Sequence, residues 1–171
     1  MRINNLYKKQ LKEGLISESL IGAIIYSYNK RAKMYRDKEY KYVYSNDLLM
    51  TQDEIDKLIK KTRCEKESMY LCKNFLLGLF KPVDITKEVC VESDGAASKK
   101  YYYKYIIGGR SFHYPIYDTS VLGVEYDIPV RRAYKHFETR KEYEDNLLAL
   151  DFCNEVIKGL KCGKYKVKGV V

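Results

Sequence analysis

A chain of 171 residues with 46% hydrophobic and 32% charged residues carries enough apolar material for one buried core, is short for two, and lacks the composition of a disordered segment. Lys and Arg number 32 against 23 Asp and Glu, a net charge of +9, which steers association towards anions without specifying a fold. No run reaches the roughly 18 apolar residues that a bilayer span needs, and no apolar signal-peptide core stands near the N-terminus, so a soluble, cytoplasmic protein with no membrane partner is expected.

The first strong helix is predicted from Ser17 to Tyr40. Ser17 is a good N-cap, and Leu20, Ile21, Ile24, Tyr28, Ala32 and Tyr35 recur at spacings of three and four. Thr51-Gln52-Asp53-Glu54 reads as a capping box that opens a short helix through Ile55, Leu58 and Ile59. A third helix is predicted over Glu65–Phe80, stopped by Pro82.

Beyond Pro82 strands take over. Two aromatic runs, Lys99–Ile107 and Arg110–Tyr117, flank Gly108-Gly109, the signal of a two-residue β-hairpin. A further strand is expected at Val124–Val130. A last helix is predicted from Thr139 to Leu160, ended by Gly163, followed by an edge strand over Tyr165–Val171 with Lys164, Lys166 and Lys168 on one side. The plan is α+β: a helical N-terminal half (about 1–81), an antiparallel sheet with a central Tyr-rich hairpin (about 82–137), and a C-terminal helix with its edge strand (138–171), all in one domain, 1–171.

Two surfaces carry candidate chemistry. On the first helix, Tyr26, Asn29, Lys30, Lys33, Arg36 and Tyr40 fall opposite the apolar stripe at about 100° per residue. Cations for phosphates interleaved with rings for bases are what a nucleic-acid surface needs. The plain alternative is a solvated face whose charge is tempered by Asp37 and Glu39; Arg31 falls near the apolar stripe, either at its rim or as the mark of a kinked helix. The hairpin supplies the second surface. A Gly108-Gly109 turn sets Tyr105 opposite Phe112, Tyr103 opposite Tyr114 and Tyr101 opposite Ile116 on the core side. Lys104 opposite His113, and Tyr102 opposite Pro115, then face outward with Lys100, and Arg110 adds a cation beside the turn. A neighbouring Lys favours a neutral imidazole, so His113, Lys104 and Tyr102 form a candidate metal-free catalytic set for RNA cleavage through the 2′-hydroxyl. The same residues also make an ordinary polar strand face, and structural or binding roles are favoured over catalysis.

The 5 Cys and 2 His contain no C-x-x-C and no clustered ligand set, so free thiols and no metal are expected. No phosphate-binding, dinucleotide-binding, zinc-protease or serine-hydrolase motif occurs, and no cofactor is expected. Asp118, Glu125 and Asp127 could gather round a divalent ion, a weak pattern. The order helix, extended piece (Tyr40–Tyr44), helix, helix, hairpin matches a winged helix, in which the third helix reads DNA.

With Tyr28-Asn29-Lys30-Arg31-Ala32-Lys33-Met34-Tyr35-Arg36-Asp37-Lys38 in view, the chain resembles the small Tyr- and Lys-rich proteins of phages and mobile elements in low-GC Gram-positive bacteria. In size, charge and lack of known motifs it is similar to anti-CRISPR proteins that inhibit Cas9. The resemblance is one of type, carries no catalytic residue with it, and implies a partner such as a Cas9–guide RNA complex. Nucleic acid, with RNA favoured, or a ribonucleoprotein is therefore the expected partner. A small endoribonuclease and a winged-helix DNA-binding regulator are the alternatives, and an enzyme is the less expected outcome.

Overall fold

The structure is a computed structural model that describes residues 3–91, 97–116 and 140–170. The chain divides into two compact units, one of residues 1–79 with 139–171 and one of Phe80–Glu138. The architecture is α+β. The expected strand at Val124–Val130 and the acids Asp118, Glu125 and Asp127 lie outside the described residues.

The first unit opens with α1 (Asn5–Glu13), which the sequence reading missed, followed by β1 (Leu15–Ile16). Asn4 caps α1 by accepting the Tyr7 N–H at 2.8 Å, and Gly14 closes it at φ +70°, a conformation that suits glycine. Ser17 caps α2 (Glu18–Tyr44), its hydroxyl accepting from the Leu20 amide. The first turns of α2 are not amphipathic as expected: Leu20 to Ile25 are all buried. Six consecutive apolar residues leave no polar side to present, and a helix that is apolar all round is buried all round. Tyr26 therefore sits half-buried among them rather than on an open face.

α3 (Gln52–Leu77) opens with the expected capping box, Thr51 and Glu54 exchanging side-chain-to-backbone hydrogen bonds. It is one continuous helix of 26 residues, where two were expected. The stretch Lys60–Lys66 holds good helix formers and neither Gly nor Pro, so nothing breaks it. The extended piece expected at Tyr40–Tyr44 is also helical, being the last turn of α2. Two long helices joined by a loop thus stand where the helix, extended piece and two helices of the winged-helix order were expected. An order of helix, short strand, helix, helix does occur as α1-β1-α2-α3, but β1 pairs with Lys166–Val167 rather than with the hairpin. Ion pairs and polar contacts link Glu39 with Arg63 and Lys66, Tyr35 with Glu65 and Tyr28 with Cys72. Residue numbers rise along α2 as they fall along α3, so the pair is antiparallel.

The predicted last helix is two: α4 (Arg140–Asn146) and α5 (Leu150–Lys161). The break has a cause in α2. Ser27 Oγ accepts the Leu148 N–H at 3.0 Å, and the Arg31 guanidinium donates to the Leu148 carbonyl at 3.1 Å. Leu148 and Ser27 are buried. Captured in this way, Leu148's backbone pairs with side chains one turn apart on α2 instead of with its own helix. Arg31 is indeed at the rim of the apolar stripe, and this is its task. The Tyr28 hydroxyl donates to Asn154 Oδ1 at 2.8 Å, tying α5 to the same helix. The edge strand, β5 (Lys166–Val167), pairs in parallel with β1. Tyr165 and Val167 are buried while Lys164, Lys166 and Lys168 are exposed, as the alternation predicts. The Tyr165 ring lies on the bare α-carbon of Gly159.

In the second unit β2 (Asp84–Val91), β3 (Ala97–Ile107) and β4 (Arg110–Pro115) form an antiparallel sheet in the order β2-β3-β4. Gly108 and Gly109 turn the hairpin at φ +59° and +76°, the paired left-handed conformations of the tightest hairpin turn. The register is the expected one: Tyr105 faces Phe112, Tyr103 faces Tyr114, Lys104 faces His113 and Tyr102 faces Pro115. Phe112 is buried and His113 exposed. Burial first, then Tyr103 and Tyr114, push the Tyr105 hydroxyl above the usual tyrosine range.

Candidate nucleic-acid interface

Beyond its buried first turns α2 changes character. From Lys33 on α2 to Lys61 on α3 no residue is buried, so the antiparallel pair continues past its core as an arm. Lys30, Lys33, Arg36 and Tyr40 follow one another along α2 at spacings of three and four. Tyr26 stands at the head of the row, the Lys30 ammonium 5.4 Å from its ring centroid, within cation–π range. Tyr44, which sequence reasoning left out, closes the row: its ring centroid is 4.6 Å from that of Tyr40, at 43°. The signal for it was the four-residue spacing from Tyr40. The row spans 18 rises of about 1.5 Å, some 27 Å, the axial length of about eight base-pair steps.

The acids expected to temper this row divide. Glu39 turns to the other side of α2, where Arg63 donates to its carboxylate at 2.7 Å and Lys66 also binds it. Those two hydrogen bonds, Lys66's first, hold the Glu39 carboxyl below the usual range. With its charge taken up by α3, Glu39 leaves Asp37 as the acid on the row's side. A recess of about 210 Å³ lined by Arg36, Tyr40, Tyr44, Arg63 and Lys66, with Glu39 and Val43, joins the row to α3. Asn29 lies half-buried beside Lys30.

The sheet surface differs from the expected one because β2 was not foreseen in the sequence. The alternation of Asp84, Thr86 and Glu88 with Ile85, Lys87 and Val89 was its signal. Register places Asp84 beside Lys104 and Glu88 beside Lys100, and opposite charges across strands stabilise each other by about 0.2–1 kcal/mol. The face that Lys100 and Lys104 share is thus close to neutral. Arg110 pairs with Ile107, which puts it on the Phe112 side of the sheet, away from Lys100. The catalytic candidates do meet: Lys104 stands opposite His113, and the Tyr102 ring centroid is 5.8 Å from that of His113. His113 is exposed, between the buried Phe112 and the half-buried Tyr114.

Cys64 and Cys162 are exposed free thiols and Cys153 is a buried one. Among the described residues no group of three or more His, Cys, Asp or Glu is placed to hold a metal, and no helix is long and apolar enough to cross a membrane.

No family model, curated protein or solved structure matches the chain.

Proposed function

We propose that this is a basic, non-enzymatic binding protein that engages RNA within a ribonucleoprotein through the outer row of α2. The observation that carries the reading is the row itself: Lys30, Lys33 and Arg36 between the Tyr26 and Tyr40–Tyr44 rings, held on one helix where the Glu39 carboxylate is bound by α3, leaving Asp37 against three cations. Lysine and arginine neutralise phosphates, and tyrosine faces stack on unpaired bases whatever their sequence, which favours single-stranded or structured RNA over a duplex groove. The resemblance to mobile-element inhibitors makes a Cas9–guide RNA complex in a bacterial cytoplasm the partner of choice. Added to guide-loaded Cas9, the protein should suppress DNA cleavage, and the Lys30→Gln/Lys33→Gln/Arg36→Gln variant should not. Undiminished cleavage with the wild-type protein would end the inhibitor reading.

The Lys104–His113 pairing supports a second reading, a metal-independent endoribonuclease. It predicts shortening of guide RNA in EDTA that His113→Ala abolishes. We expect intact RNA, because the lysine of this set stands beside Asp84 and is less disposed to stabilise a phosphorane.

A further inference from the structure

The sheet of the second unit divides its charges by face. Asp84 and Glu88 share one side with Lys104 and Lys100, and the charges there balance. On the other side the described charged residues are Lys87, Lys99 and Arg110, all cations. That side is also the aromatic one. Tyr101 stands across from Lys87, Tyr103 follows it two residues along β3, and Tyr114 faces Tyr103 from β4.

This aromatic side was expected to be core, and it is closed only near the hairpin turn, where Ile107 and Phe112 are buried. Away from the turn Tyr101, Tyr103 and Tyr114 are half-buried. Ile85 and Val89, which pair with Tyr103 and Lys99, are 44% and 52% exposed. A face that served as core along its whole length would cover those two side chains. Rings and aliphatic side chains thus meet water on a surface whose described charges have one sign.

We propose that the open end of this face binds a short unpaired stretch of nucleic acid, with bases stacked on Tyr101, Tyr103 and Tyr114 and phosphates held by Lys87 and Lys99. Tyr101 and Tyr103 lie two strand rises apart, roughly 6.7 Å, and Tyr114 is one strand away, about 4.8 Å. A sheet platform of that size takes about two or three bases, and stacking on tyrosine tolerates any sequence. Charge decides the occupant. An apolar protein segment would also cover Ile85 and Val89, but a platform whose described charges are all cationic is complementary to a polyanion. The site lies in the other unit from the α2 row and does not rest on it.

Fluorescence anisotropy with a labelled short oligouridylate tests the site, using the full chain that carries Lys30→Gln/Lys33→Gln/Arg36→Gln so that the α2 row is silent. This protein should still bind the single strand. The same strand annealed to oligoadenylate should bind about tenfold more weakly or worse, because paired bases offer no open faces. Tyr101→Leu/Tyr103→Leu should lower affinity by about tenfold or more, with the melting temperature showing that the protein remains folded. Lys87→Glu changes an exposed side chain, so it carries the test even where the tyrosine variant fails to fold. It should weaken binding and flatten the log–log salt slope by about one unit or more. Ser111→Ala, on the opposite face, should leave binding unchanged. Affinity undiminished by the α2 changes would support the sheet site while contradicting the row. Loss of all binding on silencing the row overturns the proposal and leaves α2 as the whole of the site. Equal binding of the duplex overturns it too, as does unchanged affinity in Lys87→Glu or in a folded Tyr101→Leu/Tyr103→Leu.

Discussion

Replacing Ser27 with Ala should destabilise the helical unit more than replacing Arg31 with Met, although Arg31 is the charged partner. Ser27 Oγ accepts the Leu148 amide at 3.0 Å, and both residues are out of water, at 1% and 0% exposure. Removing the hydroxyl strands a buried N–H, a cost of about 1–3 kcal/mol. Arg31→Met forfeits a charge-assisted bond to the Leu148 carbonyl, worth about 1.5–3 kcal/mol. It also removes Arg31 Nε, a buried donor with no hydrogen-bond partner, whose unmet bond costs about 1–3 kcal/mol. These two effects largely cancel, the Leu148 carbonyl left behind is tolerated better than an orphaned N–H, and methionine keeps most of the packing volume. In urea unfolding followed by helical circular dichroism, Ser27→Ala should therefore lower stability by about 2 kcal/mol, or the melting temperature by about 4–8 °C. Arg31→Met should cost less than about 1 kcal/mol, and the double variant should fall short of the sum because both side chains hold one peptide unit. A larger loss from Arg31→Met than from Ser27→Ala would refute this account of the α4–α5 break.

Gly159→Ala places a methyl group where the buried Tyr165 ring lies, and the ring must give way. The expected cost is about 1–3 kcal/mol, measurable by thermal melting, with loss of the Tyr165 hydroxyl contact to Glu155. Thiol labelling of the native protein at neutral pH should be fast at the exposed Cys64 and Cys162 and absent at Cys153 until unfolding, as read by mass spectrometry. Burial pushes the Cys153 thiol up to about 12, so the reactive thiolate is not populated.

Much of this fold was legible in the sequence where one local signal sufficed. The Gly108-Gly109 turn and its alternating flanks determined a register that the structure keeps pair by pair. Ser17 and the Thr51–Glu54 box marked two helix starts. Local reasoning failed where a distant residue decides. No sequence window around Leu148 contains Ser27 and Arg31, so the break between α4 and α5 had no local sign. The merging of two expected helices into α3 reflects a different error, the treatment of a gap in apolar periodicity as a gap in the helix. Polar, helix-forming residues continued it. The candidate row on α2 was legible from Asn29 onward. The turns before it, where Leu20 to Ile25 are buried on every side, were not, because a hydrophobic stripe was drawn through a run that has no polar face. The acids of β2 went unread for want of a turn signal, and with them the near-neutral sheet face.

The central claim is that the α2 row holds phosphates, and the salt dependence of RNA binding tests it most directly. For about five neutralised phosphates, the plot of log affinity against log salt should have a slope near −3.5 for a single strand. Lys30→Gln/Lys33→Gln/Arg36→Gln, in which glutamine keeps the helix propensity, should retain the melting temperature and reduce that slope by about two units. An unchanged slope and affinity in a folded triple variant would contradict the claim.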